Sequence, residues 1–234
     1  MNKKHTAVKI CGILDVPTIE KMLDLPIDYI GFVFAKSRRQ VTPEQADVMI
    51  QALKKHQVKV PETVGVFVNP DKEVLKDTIR LAPLDVIQLH GQESPAFCKW
   101  VKGELGVKVF KVFSNLHEVV SSAENQHQVN EKLSELLNPY LDYIDALMLD
   151  TYDPAVGGGT GETFNWELIP IVQQWTKENN IPLLIAGGLD ANNVNHLIST
   201  YFPEGVDVSS GVETNRIKDI QKIKTFVERV RVNV

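Results

Sequence analysis

Eight short apolar runs, each followed by turn residues and then by a helical pattern, constrain the fold of this chain more than any other feature. Near-continuous hydrophobicity of this kind is typical of parallel strands that are buried on both faces. The runs cover residues 7–11, 29–34, 64–68, 86–89, 107–112, 144–149, 183–186 and 206–208. Because strands that alternate with helices form right-handed βαβ units, the eight units predict a parallel, eight-stranded (β/α)8 TIM barrel. An open, doubly wound sheet is the main structural alternative.

The segments between the runs carry the signals of helix starts. Thr42 is a predicted N-cap, Pro43 occupies the first helical position, and Gln45 follows three residues after the cap, as in a capping box. Ser94-Pro95 repeats the sequence of cap and proline. The predicted helices cover residues 43–55, 71–81, 94–101, 166–177, 190–199 and 217–232.

The length of 234 residues fits one barrel domain that spans residues 1–234, since barrels of roughly 200–250 residues form a single domain. One connection, at about residues 114–142, is longer than the others and polar in its middle. We interpret it as a helix with a helical insertion, which elaborates the surface and does not form a second domain.

Charge and composition exclude several classes of partner. The net charge is −5 and the basic residues form only short spots, whereas nucleic-acid-binding proteins usually cluster Lys and Arg into a stripe. No apolar run approaches the roughly 18–20 residues that cross a bilayer, and the N-terminus lacks the pattern of a signal peptide. Two cysteines are too few for a disulfide framework. We therefore expect a cytoplasmic protein with neither nucleic acid nor membrane as a partner, and either a monomer or a homodimer.

Polar groups follow the ends of most predicted strands. In a barrel, the residues just past the C-terminal ends of the strands build the active site. The segments are Lys9-Ile10-Cys11-Gly12, Ser37-Arg38-Arg39, Val68-Asn69, Gln88-Leu89-His90-Gly91, Leu149-Asp150-Thr151, Ala186-Gly187-Gly188 and Ser209-Ser210-Gly211-Val212-Glu213. Their coincidence at one end of the barrel predicts an enzyme.

Two glycine-bearing loops follow the seventh and eighth strands, at Gly187-Gly188 and Ser210-Gly211. Glycine lets backbone N–H groups approach an anion closely, and the loops after these two strands form the common phosphate site of the barrel. The alternative is a pair of tight turns without a ligand. A third loop, residues 157–161, is glycine-rich but lacks the Lys of a P-loop, so we do not expect nucleotide binding there.

Three side chains at the strand ends are candidates for chemistry. Cys11 is either a small buried hydrophobe or a reactive thiol whose pKa the neighbouring Lys9 lowers. Asp150 ends an apolar run, where partial desolvation would suit a general acid, although it could also cap the following loop. His90 could act as a base, a hydrogen-bond donor or a structural residue, and nothing local decides between these roles. The scattered histidines and cysteines predict no metal site.

The order of these motifs resembles the phosphoribosylanthranilate isomerase family over essentially the whole chain. The matching segments are Lys9-Ile10-Cys11-Gly12, Gly31-Phe32-Val33-Phe34 with Ser37 and Arg39, Val64-Gly65-Val66-Phe67-Val68-Asn69, Gln88-Leu89-His90-Gly91, Leu149-Asp150-Thr151, Gly158-Gly159-Thr160-Gly161 with Phe164 and Trp166, Ala186-Gly187-Gly188-Leu189 and Asp207-Val208-Ser209-Ser210-Gly211-Val212-Glu213. Eight ordered motifs are highly specific even though each one is modest alone.

The resemblance implies an Amadori rearrangement in tryptophan biosynthesis, in which a phosphoribosylated anthranilate becomes an anilino-deoxyribulose phosphate without a cofactor or a metal. It implies that Cys11 is the general base at ribose C2′, that Asp150 is the general acid at the furanose oxygen, and that Arg39 holds the anthranilate carboxylate. Ring opening and isomerisation need a proton donor and a proton acceptor, so the chemistry agrees with this pair. The further substrate-binding residues that it implies are His90, Gly158, Thr160, Gly187, Gly188, Ser209, Ser210, Gly211 and Glu213, the last near the sugar hydroxyls.

Two alternatives remain open from the sequence. The loop between Phe34 and Ser37 is one residue shorter than in many members of the family, so Arg38 and Arg39 could exchange roles. The chain could also be another phosphosugar-binding barrel, either catalytic, such as an indole-glycerol-phosphate synthase or a ribulose-phosphate epimerase, or non-catalytic. In the non-catalytic case Cys11 and Asp150 would be dispensable.

Overall fold

The computed structural model describes residues 5–55, 60–114, 116–150 and 166–232, with the exception of the side chain of His117. Eight parallel strands close into a barrel, so the prediction of a (β/α)8 barrel is confirmed and an open sheet is excluded. The barrel strands are β1 Ala7–Cys11, β2 Tyr29–Val33, β3 Glu62–Phe67, β4 Val86–Leu89, β5 Lys108–Phe113, β6 Ala146–Asp150, β7 Leu183–Ala186 and β8 Gly205–Val208. The closing pair is β1 with β8, in the register Ala7↔Gly205.

Helices cover the outside of the barrel. They are α1 Val16–Met22, α2 Pro43–Lys54, α3 Lys72–Leu81, α4 Pro95–Leu105, α5 Leu116–Ser121, α6 Gln126–Leu137, α7 Leu168–Glu178, α8 Val194–Tyr201 and α9 Ile220–Arg231. The predicted capping box is confirmed, because the Thr42 side chain accepts from Gln45 N while the Gln45 side chain accepts from Thr42 N. No helix in the described part of the chain is long and apolar enough to cross a membrane.

Alternation along the strands divides the apolar residues into two clusters, since successive side chains point to opposite faces. The larger cluster lies between the strands and the helices. The smaller one fills the inside of the barrel with Val64, Val86, Phe110, Val112, Ala146, Met148, Leu184 and Ala186. Other residues lie on the same inner face but nearer the C-terminal ends of the strands. Their side chains therefore point into the mouth of the barrel.

Acidic residues fasten the opposite, N-terminal end of the barrel. In four places a carboxylate just before one strand accepts a backbone N–H of the preceding strand. The pairs are Asp28 with Val8 N, Asp85 with Thr63 N, Asp145 with Val109 N and Glu204 with Leu183 N. Arg231 of α9 also binds Asp28 at 2.9 Å, which anchors the last helix to the same end. These acidic residues stabilise the fold and are not candidates for the active site, because the active site of a barrel lies at the C-terminal ends of its strands.

Several predicted boundaries differ from the structure. The connection 114–142, predicted as a helix with a helical insertion, contains two helices, α5 and α6, followed by a 3-10 turn Asn138–Tyr140. The helix predicted from residue 217 starts at Ile220, because residues 213–218 form a hairpin, β9 Glu213–Thr214 with β10 Ile217–Lys218. Its turn residues Asn215 and Arg216 both have positive φ, which suits a two-residue hairpin turn.

Three helix boundaries also shift for local reasons. The prediction missed α1, a helix of seven residues that the side chain of Asp15 caps at Thr18 N. Helix α8 starts at Val194 and not at residue 190, because Asp190 accepts from the backbone N–H groups of Asn192 and Asn193 in a turn. Helix α4 extends past its predicted end at residue 101 and stops at Gly106, which is left-handed at φ 65°.

Candidate active site

A cavity of about 480 Å³ opens at the C-terminal ends of the strands. It brings together most of the residues that the sequence predicted for the site: Cys11, Arg39, His90, Asp150, Gly187, Gly188, Ser209 and Ser210. Gly211 and Glu213 are not among the lining residues, and Gly158 and Thr160 fall outside the described residues. Gln88 and Asp207, which were not among the predicted site residues, also line the cavity.

Cys11 stands above a buried ion pair inside the barrel. Lys9 shares its face of β1, is fully buried, and places Nζ 3.0 Å from Asp207 Oδ1. Burial raises the pKa of the Cys11 thiol, and the Lys9 and Lys218 ammonium groups oppose that effect without overcoming it. The expected lowering of the thiol pKa by Lys9 is therefore present as a contribution but is outweighed by desolvation.

The ion pair with Asp207 also keeps Lys9 protonated. Burial alone would lower the pKa of the Lys9 ammonium, but the neighbouring Asp207 and Cys11 outweigh it and raise that pKa. Lys9 thus stays protonated at neutral pH beside the thiol. The alternation of side chains along a strand predicts that Lys9 and Cys11 share one face of β1, but it does not identify Asp207 as the partner of Lys9.

Asp150 enters the cavity from the end of β6 and is 22% exposed at its side chain. Its Oδ2 lies 3.3 Å from His90 Nε2. The loop that carries His90 is tied down on both sides, because Lys111 Nζ donates to the carbonyls of Leu89 and Gly91 at 3.3 and 2.7 Å. His90 is therefore held in contact with the carboxyl group of Asp150.

A buried carboxylate completes the support under this loop. Glu93 lies 3.1 Å from Lys111 Nζ, and both side chains are 2% exposed. Glu93 also accepts from the backbone N–H of Asn69, at the end of β3, and from that of Gly91. Three neighbouring strand ends are thus joined at one carboxylate, a function that the sequence did not indicate for Glu93.

On the other side of the barrel mouth, Glu213 forms ion pairs with three basic side chains. Arg39 donates from Nε to Oε1 at 2.7 Å and from Nη2 to Oε2 at 3.2 Å, and Arg38 contacts Oε2 as well. Lys218 Nζ lies 3.1 Å from Oε1. Burial alone would raise the pKa of Glu213, but Arg39, Arg38 and Lys218 outweigh it and lower the pKa to about 2. The carboxylate faces these cations and is not among the residues that line the cavity, and its place near the sugar hydroxyls stays a prediction.

The two arginines are placed differently. Arg39 lines the cavity, whereas Arg38 is absent from its lining and donates instead to the carbonyl of Arg216 at 3.0 Å. The stem of Arg39 crosses Gly12, where an added Cβ would lie 2.5 Å from Arg39 Cδ. Gly12 also has φ +79°, so both the close approach and the backbone conformation require glycine there.

The glycine loops after β7 and β8 contact one another. Gly187 and Gly188 have φ 94° and 60°, and a Cβ on Gly211 would lie 1.9 Å from the carbonyl oxygen of Leu189. Only glycine therefore allows the two loops to meet. The second loop is held from below by Lys218, whose Nζ donates to the carbonyl of Ser209 at 2.8 Å. Sequence reasoning missed Lys218, because it lies beyond the strand and its motif.

Acid–base chemistry on an anionic ligand suits this arrangement. The thiol of Cys11 and the carboxyl group of Asp150 line one cavity, beside the guanidinium of Arg39 and the two glycine loops. Among the residues that the structure describes, no group of three or more His, Cys, Asp or Glu side chains could hold a metal ion.

Comparison with known proteins gives a consistent family. The sequence profile of N-(5'-phosphoribosyl)anthranilate (PRA) isomerase matches residues 8–229. An N-(5'-phosphoribosyl)anthranilate isomerase of Brevibacillus brevis is 42% identical over 97% of this chain and 95% of its own length. That of Clostridium acetobutylicum is 38% identical over 96% of this chain and 97% of its own.

Solved structures agree with the sequence comparison. The N-(5'-phosphoribosyl)anthranilate isomerase of Pyrococcus furiosus superposes with a TM-score of 0.76 at 28% identity, covering 97% of this chain and 100% of its own. A phosphoribosyl anthranilate isomerase in complex with reduced 1-(o-carboxyphenylamino)-1-deoxyribulose 5-phosphate gives 0.72 at 29%, covering 97% and 99%. The resemblance seen in the sequence is confirmed, and the chain belongs to the N-(5'-phosphoribosyl)anthranilate isomerase family.

Proposed function

We propose that the chain isomerises N-(5'-phosphoribosyl)anthranilate to 1-(o-carboxyphenylamino)-1-deoxyribulose 5-phosphate, an Amadori rearrangement in tryptophan biosynthesis. The observation that carries this proposal is the placement of Cys11 and Asp150 on one cavity, from strands three apart around the barrel. Family membership supports the same reaction. We also propose that the protein acts in the cytoplasm as a monomer or a homodimer; a relative from Thermotoga maritima is described as dimeric.

Asp150 is proposed as the general acid. Its carboxyl proton passes to the furanose ring oxygen, the bond between C1′ and that oxygen breaks, and the nitrogen lone pair forms a protonated imine at C1′. His90, 3.3 Å from the carboxyl group, orients Asp150 toward the cavity. A positioned acid of this kind contributes about 10²–10⁴-fold to the rate.

Cys11 is proposed as the general base. The thiolate removes the proton from C2′, and the electron pair of that bond moves to C1′–C2′ and neutralises the imine nitrogen. The resulting enol then tautomerises, so that C1′ gains a proton and the C2′ hydroxyl loses one, which gives the ketone. Because burial raises the pKa of the thiol, the reaction depends on the Lys9 and Lys218 ammonium groups to stabilise the thiolate.

The two anionic ends of the substrate have separate partners in this proposal. Arg39 uses one edge of its guanidinium for Glu213, which leaves the outer edge for a bidentate contact with the anthranilate carboxylate. The position of Arg39 on the cavity supports it over Arg38 for this role. The loops at Gly187-Gly188 and Ser210-Gly211 receive the phosphate through backbone N–H groups.

The activity is tested by the loss of anthranilate fluorescence when the purified protein meets the substrate. Cys11→Ser and Asp150→Asn should each reduce kcat by orders of magnitude, while circular dichroism and thermal midpoint stay near those of the wild type. Cys98→Ala is the matched control, since Cys98 is also buried but lies on α4, away from the cavity. Full activity of a Cys11→Ser/Asp150→Asn double variant would overturn the mechanism.

Two further measurements complete the test. Expression in a tryptophan auxotroph that lacks the isomerase should restore growth, and absence of growth with soluble protein present would contradict the function. Arg39→Ala should raise KM much more than Arg38→Ala. The reverse order would show that Arg38 binds the anthranilate carboxylate.

A further inference from the structure

Gln88 places a carboxamide inside the barrel, and its oxygen has no hydrogen-bond partner among the described residues. It lies on the inner face of β4, in register with Val66 of β3 and Phe110 of β5, and it lines the same cavity as Cys11 and Asp150. The residue is 2% exposed. Its Oε1 is buried and makes no hydrogen bond to any residue in the described part of the chain.

Packing alone does not account for an amide at this position. The great majority of buried polar side-chain atoms in proteins are hydrogen-bonded, and an unsatisfied one costs about 1–3 kcal/mol. Both strand neighbours of Gln88 on the inner face are apolar, so Met or Leu would fill the same space without that cost. A ligand that enters the cavity can supply the partner that the described residues do not.

The chemistry of the amide selects the part of the substrate that it can bind. A carboxamide offers one acceptor and one donor group, and exchanging its O and N leaves that pair in place. The carboxylate and phosphate of the substrate only accept, and Arg39 and the glycine loops suit them. A sugar hydroxyl both donates and accepts, so it matches the carboxamide whichever atom faces it.

The position of Glu213 strengthens this assignment. The family resemblance implied that Glu213 meets the sugar hydroxyls, but its carboxylate is 5% exposed and is bound by Arg39, Arg38 and Lys218. Gln88 lines the cavity whereas Glu213 does not, so its carboxamide is a second polar group available to the ribose. We propose that the carboxamide of Gln88 hydrogen-bonds to a ribose hydroxyl of the substrate and so contributes to recognition of the sugar; this inference rests on the proposed function.

The test measures binding of reduced 1-(o-carboxyphenylamino)-1-deoxyribulose 5-phosphate, the ligand of a solved relative, by titration calorimetry. Gln88→Met keeps the length of the side chain and removes both hydrogen-bonding groups. It should weaken binding by about 10- to 100-fold, the range expected for one or two lost hydrogen bonds. Its thermal midpoint should stay equal to the wild type or rise, because the substitution removes an unpaired polar group from the interior.

Gln173→Met is the matched control. Gln173 is also buried, but its Nε2 donates to the carbonyl of Tyr201 at 2.7 Å, on the outside of the barrel. This variant should lower the thermal midpoint and leave binding unchanged. The opposite pattern of the two variants separates a residue that serves the ligand from one that serves the fold. Should Gln88→Met fold poorly, Gln88→Leu provides the same comparison.

Analogues that each lack one hydroxyl identify the contact. With one of these analogues, the wild type should lose affinity relative to the full ligand, by about the amount that Gln88→Met loses when it binds the full ligand. Gln88→Met itself should bind that analogue as well as it binds the full ligand. Equal binding of the full ligand by the wild type and Gln88→Met would overturn the role of Gln88 and leave the function intact. The role of Gln88 would also be overturned, with the function intact, if Gln88→Met bound every analogue more weakly than the full ligand. If the wild type neither binds the full ligand nor turns over the substrate, the proposed function fails, and this inference fails with it.

Discussion

Replacing Glu213 with Gln should destabilise the protein strongly at neutral pH. The carboxylate is 5% exposed and binds Arg39, Arg38 and Lys218, and these contacts lower its pKa from 4.5 to about 2. At about 1.4 kcal/mol per pH unit, a difference of this size corresponds to about 3 kcal/mol of folding free energy. For a chain of this length, that predicts a thermal midpoint about 6–12 °C lower in Glu213→Gln.

The dependence on pH has a definite sign. The folded pKa of Glu213 lies below the unfolded value, so the carboxylate stabilises the fold fully above about pH 4.5 and loses that effect as the pH falls toward 2. Thermal denaturation of the wild type and Glu213→Gln at several pH values should show a constant difference from pH 7 to 5. The difference should halve near about pH 3 and nearly vanish near about pH 2.

Glu62→Gln provides the control for this experiment. Glu62 pairs with Lys108 at 2.7 Å, but the two side chains are 37% and 50% exposed, and exposed pairs contribute about 0–1 kcal/mol. The reasoning would be refuted if Glu213→Gln were no less stable at pH 7 than Glu62→Gln. A difference that stayed constant between pH 5 and 2.5 would refute the assignment of the pKa to Glu213. In activity assays Glu213→Gln should also raise KM, since Arg39 loses the partner that orients it.

Three further experiments test the loops, the buried pair and a cap. Gly211→Ala should raise KM at least about tenfold, because its Cβ would clash at 1.9 Å with a carbonyl of the neighbouring loop. In Gly103→Ala, by contrast, the added Cβ meets nothing within 4 Å, so this substitution should stabilise α4 by about 0.5–1 kcal/mol in urea denaturation. Lys9→Met should cost about 3–5 kcal/mol by leaving Asp207 buried without its partner, and a second substitution, Asp207→Leu, should recover part of that loss. Thr42→Ala should cost about 1 kcal/mol in the same assay, because it removes the capping hydrogen bond of α2.

The barrel could be predicted because buried parallel strands leave a strong mark on a sequence. Both faces of each strand are apolar, so the strands stand out as short continuous runs between polar turns. Three of them, Ala7–Cys11, Val86–Leu89 and Leu183–Ala186, match the predicted runs residue for residue. The rule that polar residues at the C-terminal strand ends build the site then led to the cavity residues, including Cys11 and Asp150.

Pairings between distant side chains could not be predicted in this way. Glu213 meets Arg39 across 174 positions, and Lys9 meets Asp207 across 198; nothing in either local sequence names the partner. Lys218 lies on a hairpin that replaces the expected start of α9, so its approach to Ser209 was hidden with that hairpin. Gln88 was visible in its motif, but only the closed barrel shows that its carboxamide oxygen is buried without a partner among the described residues.

The charges around Cys11 explain why such pairings matter for an enzyme of this family. Lys9, Lys218, Arg38 and Arg39 meet only two carboxylates, those of Asp207 and Glu213, so this described cluster carries an excess of positive charge in largely buried surroundings. A substrate with a carboxylate and a phosphate balances that excess, and the same cations oppose the cost of forming a thiolate at Cys11. The arrangement that holds Arg39 for binding therefore also serves the base in the proposed mechanism. It follows that a cation removed from the cluster should weaken substrate binding and proton transfer together, while Gln88, which is neutral, should affect binding alone.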